Sequence, residues 1–179
     1  MKSALLVIDV QRILTEGDDA AFEVDSVIAR INAMARRARA AGAPVIFVQH
    51  ETKDEAMRHG TMPWQLAPAL EVVPGDHHVR KTATDSFYRT TLQSLLDGLG
   101  VARLVVCGLQ SDFCVDSTTR RALALGYPVT LVSDAHSTVD NGILSAPQIV
   151  AHHSRTLSNI ESFDVRATLC ASPDVRFDA

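Results

Sequence analysis

The chain has 179 residues, of which 46% are hydrophobic, 21% charged and 5% aromatic, with a formal net charge of −4. That length buries a real hydrophobic core without help from disulfides or metals. The mildly acidic balance gives no electrostatic reason to expect nucleic acid or an anionic membrane as partner.

Three cysteines, at 107, 114 and 170, form no even set of pairs and suit a reducing compartment. Ala4 to Val10 is apolar, but it is too short for a signal peptide and Asp9 interrupts it. No apolar run approaches the roughly 20 residues that span a bilayer. The expectation is a cytoplasmic protein with a single domain over 1–179.

In chain order, Ala4-Leu5-Leu6-Val7-Ile8 is a continuous apolar run that ends at Asp9. Val27, Ile28, Ile31, Met34, Ala35 and Ala38 then recur at helical spacing. Asp25 is placed to cap that helix, and Gly42 with Pro44 to end it. Val45 to Val48 is a second strand run, closed by His50. Glu51 to Gly75 fits no element: it mixes prolines, scattered charge, Trp64 and a Pro-Gly turn. Irregular excursions of that length in compact domains are usually functional or partner-facing, and otherwise plain surface insertions.

Asp76 to Arg80 reads as a short strand leading to Lys81, and Thr91 to Leu99 as a helix stopped by Gly100. Arg103 to Cys107 is the next strand, followed by the polar loop 108–113 and a helix predicted over Cys114 to Leu125. Pro128 to Val132 is a further strand, with Asp134 after it, and a last helix is expected over 145–160. Continuous apolar runs alternating with helices predict a three-layer α/β/α fold around a mostly parallel, Rossmann-like sheet.

Ligands of such folds bind beyond the carboxyl ends of the strands. The polar residues there are Asp9, His50, Lys81, the 108–114 loop and Asp134. Cys114 enters a helix, whose free N–H groups favour thiolate and can hold an oxyanion. Asp9 is the candidate base and Lys81 its electrostatic partner. Each has an ordinary alternative: cysteines are usually buried as small hydrophobes, as Cys107 inside its strand, and strand-end aspartates often serve turns.

The adjacent pairs His77-His78 and His152-His153 point their rings apart, and His50 with His59 is too loosely placed to argue for a metal. There is no G-x-G-x-x-G, P-loop or G-x-S-x-G motif. No cofactor is expected.

The run Leu5-Leu6-Val7-Ile8-Asp9-Val10-Gln11, then Lys81, Ser86-Phe87 and Thr90-Thr91-Leu92, resembles the isochorismatase-like cysteine hydrolases. So do Val105 through Val115, Thr118 to Ala122, Gly126 to Val129 and Val132 to Ala135, in order. Each piece alone is weak; the ordered set is specific.

The resemblance implies a six-stranded parallel sheet and, in the amidase branch, a triad that maps onto Asp9, Lys81 and Cys114. It also implies a cis peptide between Leu109 and Gln110, and an oxyanion hole of the Gln110 and Cys114 backbone amides. Gln11, Trp64 and Phe87 are expected beside the substrate. The Asp-x-His pair of metal-dependent nicotinamidases is absent from Val48-Gln49-His50-Glu51-Thr52, so no metal is expected.

The implied activity is hydrolysis of a carbon–nitrogen bond in a small amide through a thioester, by a homodimer or homotetramer. The alternatives are a vinyl ether hydrolase with Cys114 as bystander, and a non-catalytic binding protein that keeps the scaffold.

Overall fold

The computed structural model describes all 179 residues. Six strands, β1 (Ser3–Ile8), β2 (Val45–His50), β3 (His77–Lys81), β4 (Arg103–Leu109), β5 (Val129–Ser137) and β6 (Ala167–Cys170), form one sheet. Their order is β3-β2-β1-β4-β5-β6 and every pairing is parallel. The helices are α1 (Arg12–Thr15), α2 (Val24–Ala40), α3 (Leu92–Leu99), α4 (Asp116–Ala124) and α5 (Ala146–Ser158). No helix is long and apolar enough to cross a membrane.

The strand pleat sorts the apolar runs onto two cores. Leu5 and Val7 of β1 point with Phe47, Val105 and Cys107 toward the buried stripe of α2, namely Val27, Ile28, Ile31, Met34, Ala35 and Ala38. Ala4, Leu6 and Ile8 point the other way, onto Leu92 and Leu96 of α3, Ala122 and Leu123 of α4 and Leu157 of α5. Coverage on both faces is why these strands read as unbroken apolar runs.

Several local expectations are corrected. Asp25 does not cap α2 but sits in its first turn, and the cap position is Glu23 in a left-handed conformation. β5 runs past Asp134 to Ser137. The Asp134 carboxylate instead accepts hydrogen bonds from Ser172 N (2.7 Å) and Oγ (2.9 Å), on the α2 side of the sheet. The helix predicted from Cys114 begins earlier, as a π-helical turn over Ser111–Val115 that runs into α4.

The 51–75 excursion is anchored rather than loose. Ala67 and Leu70 join the α2 core, and Asn32 donates to Ala69 O at 2.8 Å and accepts from Glu71 N at 2.9 Å.

The order reverses direction between β1 and β4, which opens a crevice at their carboxyl ends. There the two backbones lie unusually close. Gly108 has φ +114°, and a Cβ on it would stand 2.1 Å from Ile8 O. Gly108→Ala should therefore cost more than about 3 kcal/mol, beyond ordinary overpacking, by urea unfolding. Gly98→Ala in α3, where a Cβ meets nothing within 4 Å, should instead stabilise by up to ~1 kcal/mol.

Candidate active site

The sheet register assembles the site. Ile8 pairs with Val48 on one side and Gly108 on the other, and His50 pairs with Lys81. The ends of β1, β2 and β3 and the loop after β4 thus deliver Asp9, His50, Lys81 and Cys114 to one place. Asp9 leaves β1 with φ 50°, a left-handed conformation that aspartate tolerates better than most residues.

Lys81 is the centre. Its ammonium, with a side chain 0% exposed, is 2.7 Å from Asp9 Oδ2 and 3.1 Å from Cys114 Sγ. It is also 3.0 Å from His50 Nδ1 and from Ala83 O. The second Asp9 oxygen, Oδ1, is buried and has no partner. Ligand atoms of Asp9, His50 and Cys114 lie within 4.8 Å of one another, the spacing of a metal site. The Lys81 ammonium supplies a cation within hydrogen-bonding reach of all three.

Burial works against the thiolate that a helix terminus favours at Cys114. Burial, with the Asp9 carboxylate adding to it, pushes the thiol up to about 12, and Lys81 offsets this only in part. Desolvation and the Asp9 carboxylate together outweigh the Lys81 ammonium. Cys107, fully buried in β4, is raised by burial alone.

The pocket over these groups holds about 200 Å³ and is lined by Asp9, Leu14, His50, Met57, Thr84, Gln110, Phe113 and Cys114. The Leu109–Gln110 peptide is cis. Gln110 N has no acceptor in the protein, so an amide donor is free beside the sulfur. Larger hollows of about 430 and 760 Å³ contain no cysteine, and the second shares only Lys81 with the cluster.

The three residues expected beside the substrate are placed otherwise. Gln11 is fully buried, donates to His50 O (2.9 Å) and Trp64 O (2.7 Å), and accepts from His50 N (2.8 Å). Its amide braces the pocket wall and, fully buried, is closed to a ligand. The Trp64 ring packs edge-on against His59, 4.6 Å away, in the hollow shared with Arg80 and Arg89. Phe87 lies in the core, stacked on Tyr127.

Sequence reasoning also missed groups that hold the site. Ser111, first residue of the π turn, shares a 2.8 Å hydrogen bond with His136 Nδ1, whose Nε2 meets Ser154 Oγ at 3.0 Å. Thr138 donates to Asp112 at 2.6 Å. Thr118 of α4 accepts from Ser86 N at 3.1 Å and donates to Thr84 O at 3.3 Å, pinning the loop after β3. Ser86 and Thr118 stood within the resembling motifs; His136 left only a lone histidine after a strand.

Residues 3–158 match the isochorismatase domain family. The chain belongs to the isochorismatase family of hydrolases, whose α/β fold it shares. It is 44% identical over 147 residues to a streptothricin hydrolase of Streptomyces noursei, covering 82% of this chain and 52% of that protein. It is 30% identical over 171 residues to the ureidoacrylate amidohydrolase RutB of Pseudomonas syringae, covering 75% and 70%. A crystal structure of an isochorismatase family protein superposes with a TM-score of 0.87 at 35% identity, covering 94% and 98%. The chain spans about half the length of the streptothricin hydrolases it matches.

Two measurements probe these electrostatics. Asp9→Asn removes an anion that raises the thiol, so the folded variant should react faster with iodoacetamide at pH 7, by roughly tenfold for each unit the thiol falls. Lys81→Met should slow the same reaction.

His136 is held neutral by burial, its value lowered from 6.5 to about 4. The unfolded chain takes up that proton near pH 6.5 and the folded chain only near 4. Its contribution is complete above pH 6.5 and is lost as pH falls toward 4, on the order of 3 kcal/mol. Urea unfolding across that range should show the slope, and His136→Gln should flatten it.

Proposed function

We propose that the protein hydrolyses a carbon–nitrogen bond of a small amide through a thioester on Cys114. The observation that carries this reading is the sulfur at the pocket floor, 3.1 Å from the Lys81 ammonium and beside the unpartnered Oδ1 of Asp9. Its similarity to a ureidoacrylate amidohydrolase supports the choice of bond.

With the thiol at about 12, ionising it alone at pH 7 costs on the order of 7 kcal/mol. Proton transfer is therefore coupled to attack. Asp9 Oδ1 takes the thiol proton as Sγ bonds to the carbonyl carbon, and Lys81 balances the charge that moves.

The oxyanion falls to the backbone amides of Gln110 and Cys114, each worth ~3 kcal/mol of barrier. The tetrahedral intermediate collapses, the carbon–nitrogen bond breaks, and the proton on Asp9 leaves with the amine. A water then gives its proton to Asp9 and attacks the thioester carbonyl. Sulfur departs, is reprotonated from Asp9, and the acid is released.

Cys114→Ala should lower kcat/KM for small amides by a factor of at least roughly 10⁴ with the melting curve little changed. Mass spectrometry of the wild-type protein quenched during turnover should show an acyl adduct on Cys114. Retained amide turnover in the variant would overturn the thioester route, and turnover of a vinyl ether by both proteins would support acid catalysis by Asp9 and Lys81.

A further inference from the structure

We propose that His50 selects the substrate, donating an Nε2–H hydrogen bond to a second acceptor oxygen that the amide carries beyond its scissile carbonyl. This rests on the amide reading of the same pocket.

His50 Nδ1 lies 3.0 Å from the Lys81 ammonium, which can only donate. Nδ1 is therefore the acceptor, and the one proton of the neutral ring sits on Nε2. The charged or titratable groups facing the ring are Lys81 from β3, Asp9 after β1, Cys114 from the π turn and the neighbouring Glu51. Burial and Lys81 together keep the imidazole below its ordinary value, against the weaker pull of Asp9 and Glu51. The neutral tautomer is thus the resting one at neutral pH.

Nε2 has no hydrogen-bond partner in the protein, and the half-buried ring lines the pocket. Both backbone hydrogen-bonding groups of His50 are held by the Gln11 amide, at 2.8 and 2.9 Å, and its Nδ1 by Lys81, so the ring is held before any ligand arrives. The other pocket groups have tasks in the mechanism: Gln110 and Cys114 hold the oxyanion, and Asp9 moves the protons. Leu14, Met57 and Phe113 add apolar surface, and Thr84 adds a hydroxyl that can turn to accept as well as donate. A wholly apolar amide would bury the Nε2–H unpaired, a penalty that an acceptor-bearing amide avoids. The substrate class is a small amide with a further carbonyl, ureido or carboxylate oxygen.

The test compares malonamide with isovaleramide, which has the same branched outline but a dimethyl end in place of the second amide. Ammonia release should favour malonamide by at least roughly a hundredfold in kcat/KM. His50→Leu should abolish that preference by raising KM for malonamide, beyond any loss common to both amides from the broken Lys81 contact. His50→Gln, which can accept from Lys81 through Oε1 and donate through Nε2, should restore part of it. Equal losses on both amides in His50→Leu, or equal turnover of the two by the wild type, would overturn the inference.

Nitrogen-15 NMR of the His50 ring reads the tautomer without turnover. A protonated Nε2 that shifts on titration with malonamide supports the inference even if neither amide is cleaved, in which case only the thioester reading fails. A protonated Nδ1, or an Nε2 indifferent to malonamide, sinks it.

Discussion

A fully buried ammonium is the constraint around which this protein is arranged. Removing a charge of that size from water costs several kcal/mol, which only close, well-aimed partners offset. Lys81 has four, from four stretches of chain: Asp9, His50, Ala83 and Cys114. β3 is the sheet's outer strand on that side, and along it only Val79 and Lys81 are buried. Its in-register pairing with β2 sets Lys81 beside His50. Shifting β3 by one residue would turn Lys81 outward and leave Asp9 an unpaired buried anion.

Around that charge the chain is braced by short polar side chains rather than by rigid covalent links. Gln11 ties the end of β2 to the 63–67 stretch, His136 and Thr138 tie the π turn to β5, and Thr118 ties the loop after β3 to α4. His136 and Thr118 do so from β5 and α4, elements that also face a core. Packing and site geometry are therefore coupled: a shift in either helix layer moves a pocket wall.

Much of the fold was legible because the inner strands are covered on both faces, which leaves continuous apolar runs such as 4–8 and 103–107. β6 left no such run, since Thr168 and Leu169 face solvent at the outer edge. The π turn was hidden because its first residues are polar and held by tertiary bonds to His136 and Thr138.

Strand-end position and family resemblance together pointed to Asp9, Lys81 and Cys114, which the structure holds in one contact cluster. His50 was visible at a strand end, but its link to Lys81 is a matter of sheet register, which no local pattern encodes. Gln11, Trp64 and Phe87 stood in or near the right motifs with their side chains turned elsewhere. Met57 and Thr84 line the pocket from irregular chain, where sequence carries no periodicity to read.

The raised thiol has a consequence for the chemistry of ageing and stress. Peroxide attacks cysteine as thiolate, and sulfenic acid formation slows as the thiolate becomes scarcer. Cys114, held protonated in a small, mostly apolar-walled pocket, is shielded from that damage while no substrate is bound, although it faces the solvent opening. The same burial that makes Cys114 hard to ionise favours its reduced state, the form that the proposed thioester chemistry needs.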